Sequence, residues 1–174
     1  MKLRRIVTAE SKAGVAVQTD TFDTTVIEFL TNIWGFDRVP SLPLRADQVL
    51  GEYQPKSIFG PHGGIRLDLF TLVPEKPGVP SELERAANLN IGAASGMTPG
   101  KEGSGMHRTD SVDFVVVLDG EVHLGYPGED GDVHEVALKT GDLVVQNGTS
   151  HSWRNRSSKN TTLLMIVLTT ERKT

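Results

Sequence analysis

Two stretches of this sequence carry side chains able to move protons or hold a metal ion. The first is Gly105–Gly120, GMHRTDSVDFVVVLDG, and the second is Gly141–Asn155, GDLVVQNGTSHSWRN. On an extended strand, residues two apart share a face. His107, Thr109, Ser111 and Asp113 therefore point one way, and Val115 and Val117 continue that face into an apolar zone. The alternate set, Val112, Phe114, Val116 and Leu118, is apolar throughout, so this strand expects cover on both sides. A carboxylate in such a place needs a partner, a metal or a raised pKa. His151, Trp153 and Asn155 form a second same-face set. If the two strands meet, two imidazoles approach one carboxylate. His107, Asp113 and His151 would then make a two-His, one-carboxylate metal site with open positions for a substrate. Without a metal, Asp113 becomes a candidate general acid or base with His107 and His151 as partners.

The elements that must position these groups read as strands. Short apolar-rich runs recur between Gly, Pro, Asn and Asp, which predicts an all-β sandwich or barrel. The expected strands are Leu3–Thr8, Gly14–Thr19, Thr25–Trp34, Ile65–Val73, Ser111–Leu118, Glu121–Tyr126, His134–Leu138, Asp142–Gln146, His151–Asn155 and Thr161–Thr169. Asp119-Gly120 between alternating runs predicts a hairpin whose turn needs positive φ. Ser81–Ala87, opened by Ser81 with Glu84 three residues on, suits one or two helical turns. Arg38–Gly64 reads as a long surface connection and Gly92–Gly105 as an irregular approach. Leu163–Leu168 is apolar at every position, so one face takes the core and the other expects a second sheet or a partner subunit.

With 174 residues, a single domain is expected. Within it, residues 1–60 form N-terminal strands and a connecting loop, and residues 61–174 form the barrel. The absence of Cys excludes a disulfide framework and a thiolate metal site. Eighteen basic against 22 acidic residues, with no basic run, argue against a nucleic-acid partner. No apolar run has the length of a membrane span, and the basic N-terminus lacks the apolar core of a signal peptide. A cytoplasmic protein is expected.

Each candidate has a plainer reading. Asp113 could be a buried carboxyl that only holds its strand, bonded to Thr109 or an imidazole. Trp153 fits the core or the barrel lining, and His151 with Asn155 could simply organise a turn. His62, in Phe59–Gly64, reads first as an exposed loop residue, with a pocket-closing role as the alternative. Gly60, Gly63 and Gly64 lack the Lys-Ser or Lys-Thr of a phosphate loop. No Gly-x-Ser-x-Gly elbow supports a serine hydrolase.

The two stretches resemble the paired motifs of the cupin superfamily. His107 matches the first His of the first motif, Asp113 its acid and Gly120 its closing Gly. Thr109 stands where the second His is usual. Gly141-Asp142, Gly148, His151 and Asn155 match the second motif, with Gln146 in place of the usual Pro and a loop one residue shorter. The resemblance implies a jelly-roll antiparallel β-barrel with extra N-terminal strands, and a homodimer. It implies a small-molecule pocket inside the barrel, with catalytic His107, Asp113 and His151 and substrate contacts from Thr109, Trp153 and His62. Either one divalent metal (zinc, iron, nickel or manganese) on His107, Asp113 and His151 or a metal-free interior fits the ligand set. The implied chemistry is that of a lyase, decarboxylase, isomerase or cyclase on an organic acid, carbonyl or polyketide-like substrate. In it, Asp113 or an imidazole moves a proton beside a carbonyl, and a metal or the His pair stabilises the enolate oxygen. A metal-dependent dioxygenase and a non-catalytic binding or sensor module are the alternatives.

Overall fold

The computed structural model describes residues 1–24, 29–76, 78, 97–100 and 105–173. In chain order its strands are β1 (Lys2–Ser11), β2 (Gly14–Asp23), β3 (Leu30–Phe36), β4 (Ile65–Leu72), β5 (Met97–Pro99) and β6 (His107–Thr109). They continue as β7 (Ser111–Asp119), β8 (Glu121–Pro127), β9 (Val133–Lys139), β10 (Leu143–Gln146), β11 (Ser152–Arg154) and β12 (Thr161–Thr169). A four-residue helix, α1 (Ala46–Val49), lies in the long connection. No described helix is long and apolar enough to cross a membrane.

A five-stranded sheet in the order β10-β7-β12-β4-β3 faces a three-stranded sheet, β11-β8-β9. Their shared core joins Phe70, Val115, Val117 and Leu163 of the larger sheet to Val122, Leu124, Leu138 and Trp153 of the smaller. The strand pairings within these two sheets are antiparallel. The fold is all-β and antiparallel, as the alternation predicts. β3 extends the edge of the larger sheet, whereas β1 and β2 form a separate two-stranded sheet, with one further bridge from Glu10 to Arg45. Arg5 docks that hairpin. Its guanidinium binds Asp20 and the Ile33 carbonyl and lies over the rings of Phe22, Trp34 and Tyr53.

Several expectations shift in detail. β3 starts at Leu30 and runs on to Phe36, and residues 25–28 of the strand expected there lie outside the described residues. The Ser81–Ala87 helical turn also lies outside them. Met97–Pro99, inside the stretch read as irregular, pairs as β5 with His107–Thr109. Polar, Gly-rich sequence hid a strand whose partner is equally short. The β7–β8 hairpin turns at Gly120, where φ is +91° and a Cβ would stand 2.8 Å from Thr161 Oγ1. Glycine is required there on both counts.

Register divides the interior into zones. Val117, Leu163 and Phe70 align across β7, β12 and β4 as an apolar row. The next inward row is Val115, Met165 and Asp68, continued by Asn32 on β3. Beyond it come Asp113, Val167 and Arg66. One end of the interior is thus hydrocarbon, and the other gathers the buried polar groups.

Candidate functional site

His107 and His151 form an isolated antiparallel bridge between the two motif segments. Each backbone N–H donates to the other residue's carbonyl at 2.8 Å, and the ring centroids lie 4.3 Å apart. Both side chains are buried. His107 Nδ1 stands 3.1 Å from the Gly105 carbonyl, and His151 Nδ1 stands 2.9 Å from that of Thr149. A carbonyl only accepts, so each Nδ1 carries the proton and each Nε2 keeps its lone pair. Gln146 Nε2 lies 3.0 Å from His151 Nδ1, but its hydrogens serve the Thr149 carbonyl and hydroxyl at 3.0 and 2.6 Å. Gln146 thereby fixes the carbonyl that sets the His151 tautomer. Burial lowers the pKa of His107. For His151, burial and then the neighbouring His107 push it down to about 4. The pair is neutral at ordinary pH, because two imidazolium ions cannot share this space.

Asp113 is buried on the inward face of β7. The Ser111 hydroxyl donates to Thr109 Oγ1 at 2.8 Å, and Thr109 donates a long 3.5 Å bond to Asp113 Oδ2. Oδ1 is buried with no hydrogen-bond partner. Burial raises the Asp113 pKa to about 6, against the opposing pull of the two hydroxyls.

Trp153 packs in the core and meets the His151 ring edge-on at 5.9 Å. His62 lies exposed on the Pro61–Gly64 turn. Among the described residues no hydrogen bond, ion pair or ring contact joins it to the cluster. Asn155 takes the plainer role, bonding the Leu72 and Lys159 carbonyls and accepting from Ser157.

The metal expectation does not fit the geometry. His107, Asp113 and His151 are not gathered into a group that could hold a metal ion, and no other three His, Asp or Glu side chains are, among the described residues. Thr109 occupies the position from which a further imidazole would reach inward, and its hydroxyl is committed to Asp113.

One functional candidate escaped the sequence reading. Asp68 on β4 is fully buried, on the same inward face of the sheet as Asp113. Its Oδ1 accepts from Asn32 Nδ2 at 2.7 Å, and its Oδ2 has no partner. Burial pushes its pKa up to about 7, Asn32 and Arg66 oppose that, and Asp113 adds to it. The signal was present: in Arg66-Leu67-Asp68-Leu69-Phe70 the carboxyl shares its face with Phe70. Arg66 is the buried cation of this end, and its guanidinium is spent. It donates to the Ser57, Phe36 and Ile65 carbonyls and to Asp37 Oδ1.

The family model for the cupin domain (Cupin_2) matches residues 95–167. "Phomopsin biosynthesis cluster protein C'" of Diaporthe leptostromiformis is 52% identical over 59 residues, which are 34% of this chain and 29% of that protein. "Oryzines biosynthesis cluster protein J" of Aspergillus oryzae (strain ATCC 42149 / RIB 40) is 47% identical over 51 residues, 29% of this chain and 26% of that one. The chain thus aligns to under a third of the length of these curated relatives. Similar solved structures include the Cupin_2 domain of an XRE family transcriptional regulator from Enterobacter cloacae. That match has 16% identity and TM-score 0.34, over 63% of this chain and 83% of that one. Another is recombinant oxalate oxidase in complex with glycolate, at 11% identity and TM-score 0.40, over 63% of this chain and 44% of that one. The paired motifs and the family match agree: residues 95–167 match the cupin domain.

Proposed function

We propose that this protein is a small-molecule enzyme that transfers protons beside a carbonyl group, with lyase, decarboxylase, isomerase or cyclase chemistry. The observation that carries the reading is Asp113. It is a buried carboxyl with one oxygen unpartnered and a pKa of about 6, linked through Thr109 to the strand that carries His107. Such a carboxyl is ionised at neutral pH yet still basic enough to take a proton from carbon. Burial without a compensating bond is costly, so an unpartnered oxygen favours a ligand that completes it. The two Nε2 lone pairs can accept hydrogen bonds from substrate hydroxyl groups. Relatives described as biosynthesis-cluster proteins are compatible with such a role. A dioxygenase reading would require a metal held by His107, Asp113 and His151, and among the described residues these do not gather into such a group.

The test is hydrogen–deuterium exchange. Small ketones in D2O, followed by proton NMR, should lose their α-protons faster with the wild type. Asp113→Asn should reduce the effect by about 10²–10⁴-fold, the usual worth of a positioned general base. Unchanged exchange in the folded variant would remove Asp113 from the chemistry and leave a binding module as the reading.

We also propose a second copy of this chain as the macromolecular partner. Leu143 and Val145 are 59% and 49% exposed. Register places them beside Val116 and Phe114, and next to Leu164 and Ile166, on the outer face of the larger sheet. Phe114, Val116, Leu143, Val145, Leu164 and Ile166 on this face are all apolar, and a symmetric contact of two such faces is self-complementary.

A further inference from the structure

Away from the His107–His151 bridge, the two motif segments are joined a second time by a residue that belongs to neither. Past β12 the chain crosses the bend between β6 and β7, where the Thr170 backbone N–H donates to the Asp110 carbonyl at 2.9 Å. Two residues on, Arg172 Nε donates to Asp110 Oδ1 at 2.6 Å. Its Nη2 donates to the Thr109 carbonyl at 2.9 Å and to the Gly148 carbonyl at 2.8 Å. That nitrogen has two hydrogens, so one serves the first motif segment and the other serves the second. The segments meet backbone to backbone here. Gly148 has φ +61°, and a Cβ on it would stand 2.9 Å from the Thr109 carbonyl oxygen and 3.0 Å from Arg172 Nη2. Each tied carbonyl lies beside a group of the site. Thr109 carries the hydroxyl that reaches Asp113. Gly148 precedes Thr149, whose carbonyl stands 2.9 Å from His151 Nδ1. Gln146 holds Thr149 from within the second segment, whereas Arg172 fixes that turn against the first. His107 takes its tautomer from the Gly105 carbonyl instead.

Resting on the proton-transfer reading for its effect on turnover, we propose that Arg172 is a positioning residue of the motif site: one guanidinium ties the segment that bears Asp113 to the turn that sets the His151 tautomer. The fork matters more than the charge. Nε–H and both Nη2 hydrogens lie in one rigid plane, so three acceptors are held at fixed angles to one another. A lysine ammonium could pair with Asp110 as a point charge but could not impose that geometry. The Arg172 and Asp110 side chains are 37% and 29% exposed, and an ion pair this open to water adds little to stability by itself. For the same reason water can reach the Thr109 and Gly148 carbonyls once the guanidinium is gone. It would satisfy each oxygen without holding the two in a fixed relation. Loss of Arg172 therefore falls on alignment more than on folding. Turning the Gly148–Thr149 peptide carries the Thr149 carbonyl off the imidazole, because each peptide is a rigid plane. Proton transfer is sensitive to shifts of this size.

The experiment reads the imidazole nitrogens of ¹⁵N-histidine protein by long-range ¹H–¹⁵N correlation at neutral pH, which distinguishes the Nδ1–H from the Nε2–H tautomer. Spectra of His107→Gln and His151→Gln assign the signals. In the wild type the Nδ1–H form should lead by about tenfold or more at both rings, as a hydrogen bond to a carbonyl dictates. Arg172→Ala should reduce the lead at His151 to about threefold or less and leave His107 as in the wild type. It should also slow ketone α-proton exchange by about tenfold. Arg172→Lys keeps the charge and should match Arg172→Ala. Asp110→Asn keeps an acceptor for Nε, loses the charge, and should match the wild type. Should Arg172→Ala fail to fold, Arg172→Lys carries the same reading. A wild-type His151 ratio in either Arg172 variant overturns the proposal, and so does an equal loss at both histidines, which would mean general loosening. The outcomes separate from the reading beneath it. If the His151 tautomer shifts but the wild type exchanges no α-protons, the positioning stands and the proton-transfer reading falls. If the tautomer holds while exchange still needs Asp113, that reading stands and the Arg172 role falls.

Discussion

His107 and His151 come from segments 44 positions apart and hold each other through two reciprocal 2.8 Å backbone bonds, with their rings 4.3 Å apart. That bridge locks the two motifs in register and forces two imidazoles into one buried space. Its electrostatic consequence is neutrality, since burial and mutual repulsion both disfavour a proton.

Stability on the acid side should report this pair. In the unfolded chain these histidines take protons below the ordinary value of 6.5, while folded His151 resists until about 4. The unfolded state therefore binds more protons between pH 6.5 and 4, and stability falls as pH drops through that window. His151→Gln should flatten this slope by about 1 kcal/mol or more. Urea midpoints measured from pH 7 to 4 check it, and an unaltered slope would contradict a buried neutral pair.

The carboxyls work in the opposite sense. Asp68 has a folded value of about 7 against 3.8 for the exposed group, and Asp113 stands at about 6. Below pH 4 both states hold these protons. As pH climbs toward 7 the unfolded chain releases them first, so this contribution to stability is lost. Asp68→Asn should gain on the wild type by a few kcal/mol between pH 4 and 8, read from the difference in urea midpoints. A constant difference would mean that Asp68 is ionised in the folded protein at all these values.

Arg66 should be structural and unforgiving. Its guanidinium serves the Ser57 and Phe36 carbonyls and Asp37 from a fully buried position. Arg66→Met should cost about 3 kcal/mol or more, because buried carbonyls lose their donors. Gly35→Ala should also destabilise, by about 1–3 kcal/mol, since the new Cβ would stand 2.7 Å from the Ile65 carbonyl oxygen. Thermal melts of both variants decide this.

Assembly is tested on the outer face. Light scattering after size exclusion should give a dimer mass for the wild type and a monomer for Leu143→Lys combined with Val145→Lys. A monomeric wild type at micromolar concentration would refute the second-copy partner.

Much of this molecule is visible in its alternation. Leu163–Leu168, apolar at every position, became the central β12, and Asp119-Gly120 became the hairpin turn at positive φ. The His107–Asp113 face emerged as read, because period two survives the bend at Asp110: His107, Thr109, Ser111 and Asp113 are all buried. The sequence by itself thus determined which residues face inward, since that depends only on backbone pleat and on the company each side chain keeps. It could not determine which inward faces meet. Asp68 lies 45 positions before Asp113, in a strand that looked merely apolar, and a register shift at Asn32 supplies its clamp. Whether three ligands gather on a metal, whether Arg66 is free or spent, and which nitrogen of each imidazole keeps its lone pair depend on bonds to distant backbone. Only the tertiary structure decided those, because hydrogen bonds between segments are set by packing and carry no local signature.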